Sequence, residues 1–238
     1  MAKLKTKNMD IEYSYLEISK DVRENFKKIF DELIVLLLLG PPACGKGTQA
    51  KKIKDVVTEV TDNHTIMITT GDLCKSFLDA GNDISPKACG VLKERMNDQG
   101  KLLPTHIKVF LWTRDLLAQM QEPEKDNLIF DGSPRDADEA KALVDALEFW
   151  GRKCMVLKFD VSDDELLRRI KEKDRGREDD KGDTPQKRIN EYKSKLPELL
   201  NFFEMKNIPV VEFNAVGGIK EVFEKISWQL KFASYKLK

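Results

Sequence analysis

The chain has 238 residues, of which 41% are hydrophobic, and its 41 basic and 41 acidic side chains cancel to zero net charge. This length favours one or two domains, and the apolar content is enough for a sizeable core. A neutral chain gives no reason to expect nucleic acid or an acidic membrane surface as a partner.

Five short apolar segments predict the strands of a parallel sheet. They are bounded by Gly, Pro, Asn or Asp and span residues 33–39, 64–70, 127–131, 153–160 and 208–214. Several are apolar on both faces, as buried parallel strands are, and helical patterns lie between them. This alternation predicts an α/β fold with helices covering both faces of the sheet.

Three segments lie outside this regular alternation. Residues 1–32 precede the first strand, and Val22 and Phe26 belong to an amphipathic helical pattern within them. We expect this helix to be a packing appendage, and a partner-binding element is the alternative. Residues 71–126 and 161–207 are too long for simple crossovers, and long connections of this kind are often functional lids.

The segment GPPACGKGT follows the first predicted strand and opens a polar helix. Gly40, Gly45 and Lys46 fit the phosphate loop G-x-x-x-x-G-K-[ST]. Gly47 stands where the motif has a hydroxyl, and Thr48 follows one place later. Glycines allow backbone N–H groups to approach a phosphate, whose charge the helix N-terminus favours. We expect Lys46 to reach the β- and γ-phosphates; a plain glycine-rich turn is the alternative.

The third predicted strand ends in Asp131, and Arg135 follows on the next turn. Ligands of open α/β sheets bind at the carboxyl ends of the strands. An acid at this edge can organise hydrated Mg²⁺, and a guanidinium can grip a phosphate through two hydrogen bonds. An ordinary Asp-Gly turn with a surface arginine is the alternative.

The second long connection is rich in basic residues interleaved with acids. Its cations are Arg168, Arg169, Lys171, Lys173, Arg175, Arg177, Lys187 and Arg188. A solvated, salt-bridged helix face would look similar. Phosphoryl transfer, however, needs cations around the migrating oxygens, and a mobile loop can deliver them and exclude water.

The four cysteines, Cys44, Cys74, Cys89 and Cys154, are scattered, and none forms C-x-x-C. This spacing argues against a zinc site or a redox pair, and a large chain with a phosphate loop is typical of a reducing compartment. The longest apolar run, residues 33–39, is shorter than the roughly 20 residues of a membrane span. We therefore expect a cytoplasmic protein.

Together these motifs resemble the adenylate kinase family of nucleoside monophosphate kinases, from about Leu33 to Leu230. Five segments occur in the family's order. GPPACGKGTQ is similar to G-x-P-G-x-G-K-G-T-Q, TTGDLCK to S-T-G-D-[ML]-[LI]-R, and GKLLP to G-x-L-V-P. DGSPRDADEA is similar to D-G-[FY]-P-R-x-x-x-Q-A, and GREDD with QKRINEY to the lid segment G-R-x-D-D with K-R-L-x-x-Y.

The resemblance implies a P-loop NTPase-type α/β fold, with a five-stranded parallel sheet flanked by helices. An N-terminal extension, residues 1–32, would precede a nucleoside monophosphate kinase domain, residues 33–238. Within that domain, a helical monophosphate-binding insertion would span about residues 71–100, and a short lid about residues 170–182.

The resemblance also implies roles for single residues. ATP would be bound by Pro42, Ala43, Cys44, Gly45, Lys46, Gly47, Thr48, Arg169, Lys173 and Gly217. AMP would be bound by Thr70, Gly71, Lys75, Lys101, Leu102, Leu103, Gly132, Arg135, Glu139, Arg177 and Arg188. Catalysis would rest on Lys46, Arg135, Arg177 and Arg188. Mg²⁺ would enter with ATP and have no direct protein ligand, with Asp131 and Thr48 acting through its hydration shell.

Several positions depart from the family pattern. Ala43 replaces a loop glycine and has less freedom at positive φ. Lys75 stands where the family has an arginine for the AMP phosphate, so it keeps the charge but loses the fork. Lys173 lies near another usual arginine, and Arg175 is the alternative lid cation. Ser133 replaces an aromatic residue.

Glu139 replaces the glutamine that reads adenine in the resembled family. An ionised carboxylate offers acceptors only, whereas guanine presents two adjacent donors. Three alternatives follow: Glu139 is turned away from the base, pairs only with the amino group of adenine, or shifts the preference toward GMP.

The expected activity is reversible transfer of the ATP γ-phosphoryl group to AMP, giving two ADP. A kinase acting on GMP, UMP or CMP is one alternative. A non-catalytic nucleotide-binding regulatory module is the other, because Ala43, Lys75 and Glu139 depart from the pattern. The expected partners are ATP and a nucleoside monophosphate, without nucleic acid or membrane, and the resembled family is usually monomeric.

Overall fold

The computed structural model describes residues 18–79, 85–97, 101–172 and 183–233. Their centre is a parallel five-stranded sheet in the order β2-β3-β1-β4-β5. The strands are β1 Val35–Leu39, β2 Thr65–Thr69, β3 Asn127–Asp131, β4 Cys154–Asp160 and β5 Val210–Asn214. The five predicted strands and the α/β fold class are confirmed, and each strand end lies within two residues of its prediction.

Helices cover both faces of this sheet in the described residues. They are α1 Lys20–Asp31, α2 Lys46–Val60, α3 Thr70–Asp79, α4 Pro86–Asn97, α5 Thr105–Gln119, α6 Ala137–Phe149, α7 Asp163–Glu172, α8 Thr184–Met205 and α9 Ile219–Ala233. Leu36 and Leu38 of β1 enter the core under α1, α2 and α9, whereas Leu37 enters the core under α5, α6 and α8. Because side chains alternate along a strand, an all-apolar strand supplies both cores.

Helix α1 lies against α2 and α9 and buries its apolar face in the core. Phe26 is fully buried, and its ring stacks on the ring of Phe223 with 5.4 Å between the centroids. The Asn25 amide donates to the backbone carbonyl of Ser227 at 3.4 Å. The apolar face of this amphipathic helix therefore packs against α2 and α9.

Helices α3 and α4 lie in the predicted monophosphate-binding insertion, and α3 packs against α5. A small apolar cluster of Cys74, Leu103 and Leu111 joins α3 to α5. On the opposite side, α7 ends at Glu172 and α8 begins at Thr184. Most of the predicted lid therefore lies outside the described residues, and its bounds stay a prediction.

Candidate active site

Three strand ends meet at the carboxyl edge of the sheet and define the site. Leu38 of β1 and Thr69 of β2 are both in register with Asp131 of β3. The loop after β1, the start of α3 and the turn after β3 therefore open on the same edge, where ligands of parallel α/β sheets bind. They surround a cavity of about 1540 Å³.

The loop between β1 and α2 is tightly folded around Gly40. A Cβ at Gly40 would lie 2.8 Å from the Sγ of Cys44 and 2.9 Å from the Cβ of Phe159, so only glycine fits. Lys46 begins α2, and its Nζ donates to the carbonyls of Gly40 at 2.6 Å and of Pro41 at 2.9 Å. The ammonium thus lies over the loop at a helix N-terminus, where a phosphate is favoured.

Asp131 faces the first turn of α2. Its Oδ2 lies 3.0 Å from the place that a Cβ would take on Gly47. Burial raises the pKa of Asp131, and the nearby Asp72 adds to this, while the positive charges of Lys46 and Arg135 oppose it. The carboxylate is thus held partly desolvated among the cations of the site.

The Arg135 side chain lies beside two glycines, Gly132 in the turn after β3 and Gly71 at the start of α3. Its Nε donates to the carbonyl of Gly132 at 2.8 Å. A Cβ on Gly132, whose φ is 81°, would lie 3.1 Å from the guanidinium, and a Cβ on Gly71 would lie 3.6 Å from it. The two missing side chains leave room for the guanidinium on the wall of the cavity.

The guanidinium of Arg169 in α7 forms hydrogen bonds with three separate residues around the cavity. It donates to the carbonyls of Cys44 at 3.2 Å and of Ala215 at 3.0 Å. It also donates to Glu165 at 2.7 Å, and hydrogen bonds from Arg168 and Arg169 lower the pKa of Glu165 to about 2. Arg169 thereby ties the phosphate loop to the loop between β5 and α9.

The structure brings most of the predicted site residues together. The cavity is lined by Pro42, Ala43, Cys44, Gly45, Lys46, Gly47, Thr48, Arg169 and Gly217 from the predicted ATP set. From the predicted AMP set it is lined by Thr70, Gly71, Lys75, Lys101, Leu102, Leu103, Gly132, Arg135 and Arg188. Lys173 and Arg177 lie outside the described residues.

Glu139 is fully buried and does not line the cavity. One carboxylate oxygen accepts from the Nζ of Lys108 at 2.8 Å and from the backbone N–H of Arg135 at 2.9 Å. The other accepts from the hydroxyl of Ser133 at 2.7 Å. Of the three alternatives for Glu139, this arrangement corresponds to a carboxylate turned away from the base, because its acceptors are engaged within the protein.

Lys108 lines the cavity, and the sequence-based prediction missed it. It shares one face of α5 with Leu111 and Trp112, and all three side chains are buried. Residues three and four places apart lie on the same face of a helix. A lysine on an otherwise apolar face is the signal that points to this residue.

Neither a membrane-spanning helix nor a metal-binding cluster is found in the part of the chain that the structure describes. None of the described helices is both long and apolar enough to cross a membrane. Among the same residues, no group of three or more His, Cys, Asp or Glu side chains could hold a metal ion. The four cysteines are all buried and free.

A parallel α/β sheet with a phosphate loop at its carboxyl edge is a P-loop NTPase-type fold. The adenylate kinase family model matches residues 38–208. The adenylate kinase of Mycolicibacterium smegmatis is 34% identical over 194 residues, covering 80% of this chain and 95% of the relative. That of Caulobacter vibrioides is 31% identical over 199 residues, covering 82% and 96%.

Among solved structures, a gluconokinase from Sinorhizobium meliloti covers 86% of this chain and 95% of its own, with a TM-score of 0.51. At 12% identity, this likeness supports the fold alone. The sequence relatives carry the assignment: the chain belongs to the adenylate kinase family and is an ATP-dependent nucleoside monophosphate kinase. The resemblance predicted from the five sequence segments is thereby confirmed.

Proposed function

We propose that the enzyme transfers the γ-phosphoryl group of ATP reversibly to AMP, giving two molecules of ADP. The observation that carries this proposal is the single cavity that joins the phosphate loop to the turn holding Arg135. Its volume of about 1540 Å³ exceeds the roughly 300–1,000 Å³ of a pocket for one small ligand. Two nucleotides can therefore meet inside it.

The charges around this cavity suit phosphoryl transfer. Lys46, Arg135 and Arg188 line it from three different parts of the fold, and Arg177 would join them from the predicted lid. A phosphate oxygen of AMP would bond to the γ-phosphorus while the bridging P–O bond to ADP breaks and its electrons stay on ADP. Such a transfer needs positioning and charge stabilisation rather than a protein nucleophile.

The surroundings of Asp131 fit a hydrated Mg²⁺ that enters with ATP. Within the described residues, no hydrogen bond is donated to the Asp131 carboxylate, so its oxygens are available to water ligands of the ion. Thr48, the residue after Gly47, also lines the cavity. When bound, Mg²⁺ supplies neutralisation of phosphate charge, and Asp131 and Thr48 would hold it through its water shell.

AMP is favoured as the acceptor for two reasons. The relatives of this chain are adenylate kinases. In addition, both oxygens of the Glu139 carboxylate accept hydrogen bonds from Lys108, Ser133 and the backbone of Arg135. We therefore do not expect this carboxylate to pair with the donors of guanine. We expect the enzyme to act as a monomer in the cytoplasm, as the family resemblance implies.

The test is a coupled assay for ADP formed from ATP with each of the four monophosphates. Highest kcat/KM with AMP supports the proposal, and a higher value with GMP, UMP or CMP reassigns the acceptor. No ADP from any monophosphate would identify a non-catalytic nucleotide-binding module.

The same assay tests the role of Lys46. Lys46→Met should lower kcat roughly 100- to 1,000-fold, the loss typical of removing one charge-stabilising donor. Lys206→Met is the control, because the ammonium of this exposed lysine pairs with Glu148 and the residue does not line the cavity. Near-normal turnover by Lys46→Met with an intact fold would contradict the mechanism.

A further inference from the structure

A buried cluster of three charged side chains adjoins the cavity at α5. The Nζ of Lys108 lies 2.5 Å from Asp136 and 2.8 Å from Glu139. The side chain of Lys108 is 2% exposed and that of Glu139 is fully buried. Of the three residues, Lys108 is the one that lines the cavity. Lys108 is thus the member of this cluster that lies at the cavity wall, and its polar group is an ammonium donor.

The cluster lies on the wall expected to receive the monophosphate base. Leu103 and Lys108 flank the first turn of α5, and both line the cavity. The backbone N–H of Lys108 donates to the carbonyl of Pro104 at 3.3 Å, directly after the segment that the family resemblance assigns to adenine and ribose. Lys108 thus belongs to the base end of the site.

One N–H donor of the Lys108 ammonium has no acceptor among the described residues. An ammonium carries three N–H donors and no acceptor. Asp136 and Glu139 accept two of these bonds, and the described residues supply no third acceptor. A ligand that completes this set must offer an acceptor. Adenine offers its ring nitrogens N1, N3 and N7; guanine shares the acceptors N3 and N7, and its N1 carries a hydrogen.

Asp136 and Glu139 hold the ammonium in a defined place. Asp136 accepts from the N–H of Glu139 at 2.8 Å and so caps α6, and it also accepts from the hydroxyl of Thr105. Burial would raise the pKa of Asp136, but the hydrogen bonds from Lys108, Glu139 and Thr105 outweigh it, so the pKa lies below its usual range. Replacing a buried ion pair by well-packed apolar side chains is often neutral or stabilising. A contribution to stability therefore does not by itself explain why these buried positions carry charged side chains.

We propose that Lys108 is a base-binding residue that donates a hydrogen bond to a ring nitrogen of the adenine of bound AMP. Glu139 is then a positioning residue, which acts on the base through Lys108. The inference rests on the proposed function, because it places AMP in this cavity.

The first experiment uses the unaltered enzyme with 1-deaza-, 3-deaza- and 7-deaza-AMP, in which one ring nitrogen is replaced by C–H. A hydrogen bond from a charged donor contributes enough that kcat/KM should fall roughly 10- to 100-fold for one of the three analogues. The other two should stay close to AMP. Equal kcat/KM for AMP and all three analogues would overturn the inference.

The second experiment uses the double variant Lys108→Met/Glu139→Gln, because Lys108→Met alone leaves a carboxylate buried and unpaired. The double variant should treat the sensitive analogue and AMP alike, and a persistent difference would overturn the inference. If it does not fold, Lys108→Arg, which keeps the charge and moves the donors, should still change the analogue pattern, and an unchanged pattern would count against Lys108.

Lys158→Met is the matched control for loss of a buried lysine. Lys158 also contacts two carboxylates, Asp160 at 2.5 Å and Glu212 at 3.3 Å, and it lies outside the cavity. It should leave the order of the analogues unchanged. No turnover of AMP by the unaltered enzyme would overturn the proposed function and this inference together, whereas turnover of AMP without discrimination among the analogues would overturn this inference alone.

Discussion

The Oδ2 of Asp131 lies 3.0 Å from the point where a Cβ would sit on Gly47. The carboxylate at the end of β3 and the first turn of α2 are therefore in contact across the site. This distance gives a spatial reason for Gly47, which stands where the phosphate-loop motif has a serine or threonine. A side chain at residue 47 would press on the acid expected to organise the hydrated metal.

Gly47→Ala should therefore impair turnover more than stability. The added Cβ displaces the Asp131 carboxylate by a few tenths of an ångström, so we expect kcat to fall roughly 10-fold, the effect of about 1.4 kcal/mol on the barrier. We also expect a higher Mg²⁺ requirement. Steady-state kinetics across a Mg²⁺ series and a thermal melt measure both. Gly218→Ala is the control, because a Cβ there meets nothing within 4 Å, and unchanged kinetics for both variants would refute the steric explanation.

The pH dependence of turnover should report on Asp131. Burial, with a smaller contribution from Asp72, holds the pKa of Asp131 above its ordinary value against the opposing charges of Lys46 and Arg135. As pH falls, this carboxylate should take up a proton earlier than an ordinary aspartate, and kcat should fall with it. Asp131→Asn should turn over slowly and lose this acid limb. Comparing the two enzymes on the same substrates cancels the titration of the phosphates.

The raised pKa of Asp131 also makes the stability of the protein depend on pH. Because the folded state favours the neutral acid, the stabilising contribution of Asp131 is present below its unfolded pKa and is lost as pH rises through its folded pKa. Asp131→Asn should therefore be more stable than the unaltered enzyme at neutral pH and no more stable in acid. Urea unfolding at both pH values tests this, and a difference of the opposite sign would show that the negative charge stabilises the fold.

Ala43 has a φ of 61°, in the left-handed region that favours glycine. Ala43→Gly should relieve this strain and raise the free energy of unfolding by about 1 kcal/mol. Ala88→Gly, at an exposed position in α4, should have the opposite effect and lower it by roughly 0.5–1 kcal/mol. Urea unfolding of both variants provides the comparison, and destabilisation by Ala43→Gly would refute strain at this residue.

Phe26 should be essential for the stability that α1 contributes. Its ring is fully buried and stacked on Phe223, so Phe26→Ala should lower the free energy of unfolding by about 3–5 kcal/mol. Phe149 is 86% exposed, and Phe149→Ala should change the same quantity by less than about 0.5 kcal/mol. Equal, small effects of the two substitutions would show that α1 is dispensable for folding.

Much of the fold could be predicted because its signals are local. The run from Val35 to Leu39 is apolar at every position, and alternate side chains of a strand enter opposite cores. The phosphate loop is likewise contiguous, so its glycines and Lys46 could be assigned from spacing alone. Contiguous motifs can be recognised in the sequence because a strand, a tight turn and the start of a helix are all formed by neighbouring residues.

The role of Glu139 could not be predicted in this way. The sequence allows three alternatives for how its carboxylate relates to the base, and each is consistent with the composition of the segment. Its partner Lys108 lies 31 residues earlier, on a different helix, and the two meet only because α5 packs against α6.

The sequence by itself determined the parallel sheet, the phosphate loop and the family, since these depend on the order of residues along short stretches. The tertiary structure alone decided that Gly47 makes room for Asp131 and that Lys108, not Glu139, faces the cavity. The physical reason is burial: a carboxylate removed from water must take its hydrogen bonds from whichever donors the packed helices bring beside it.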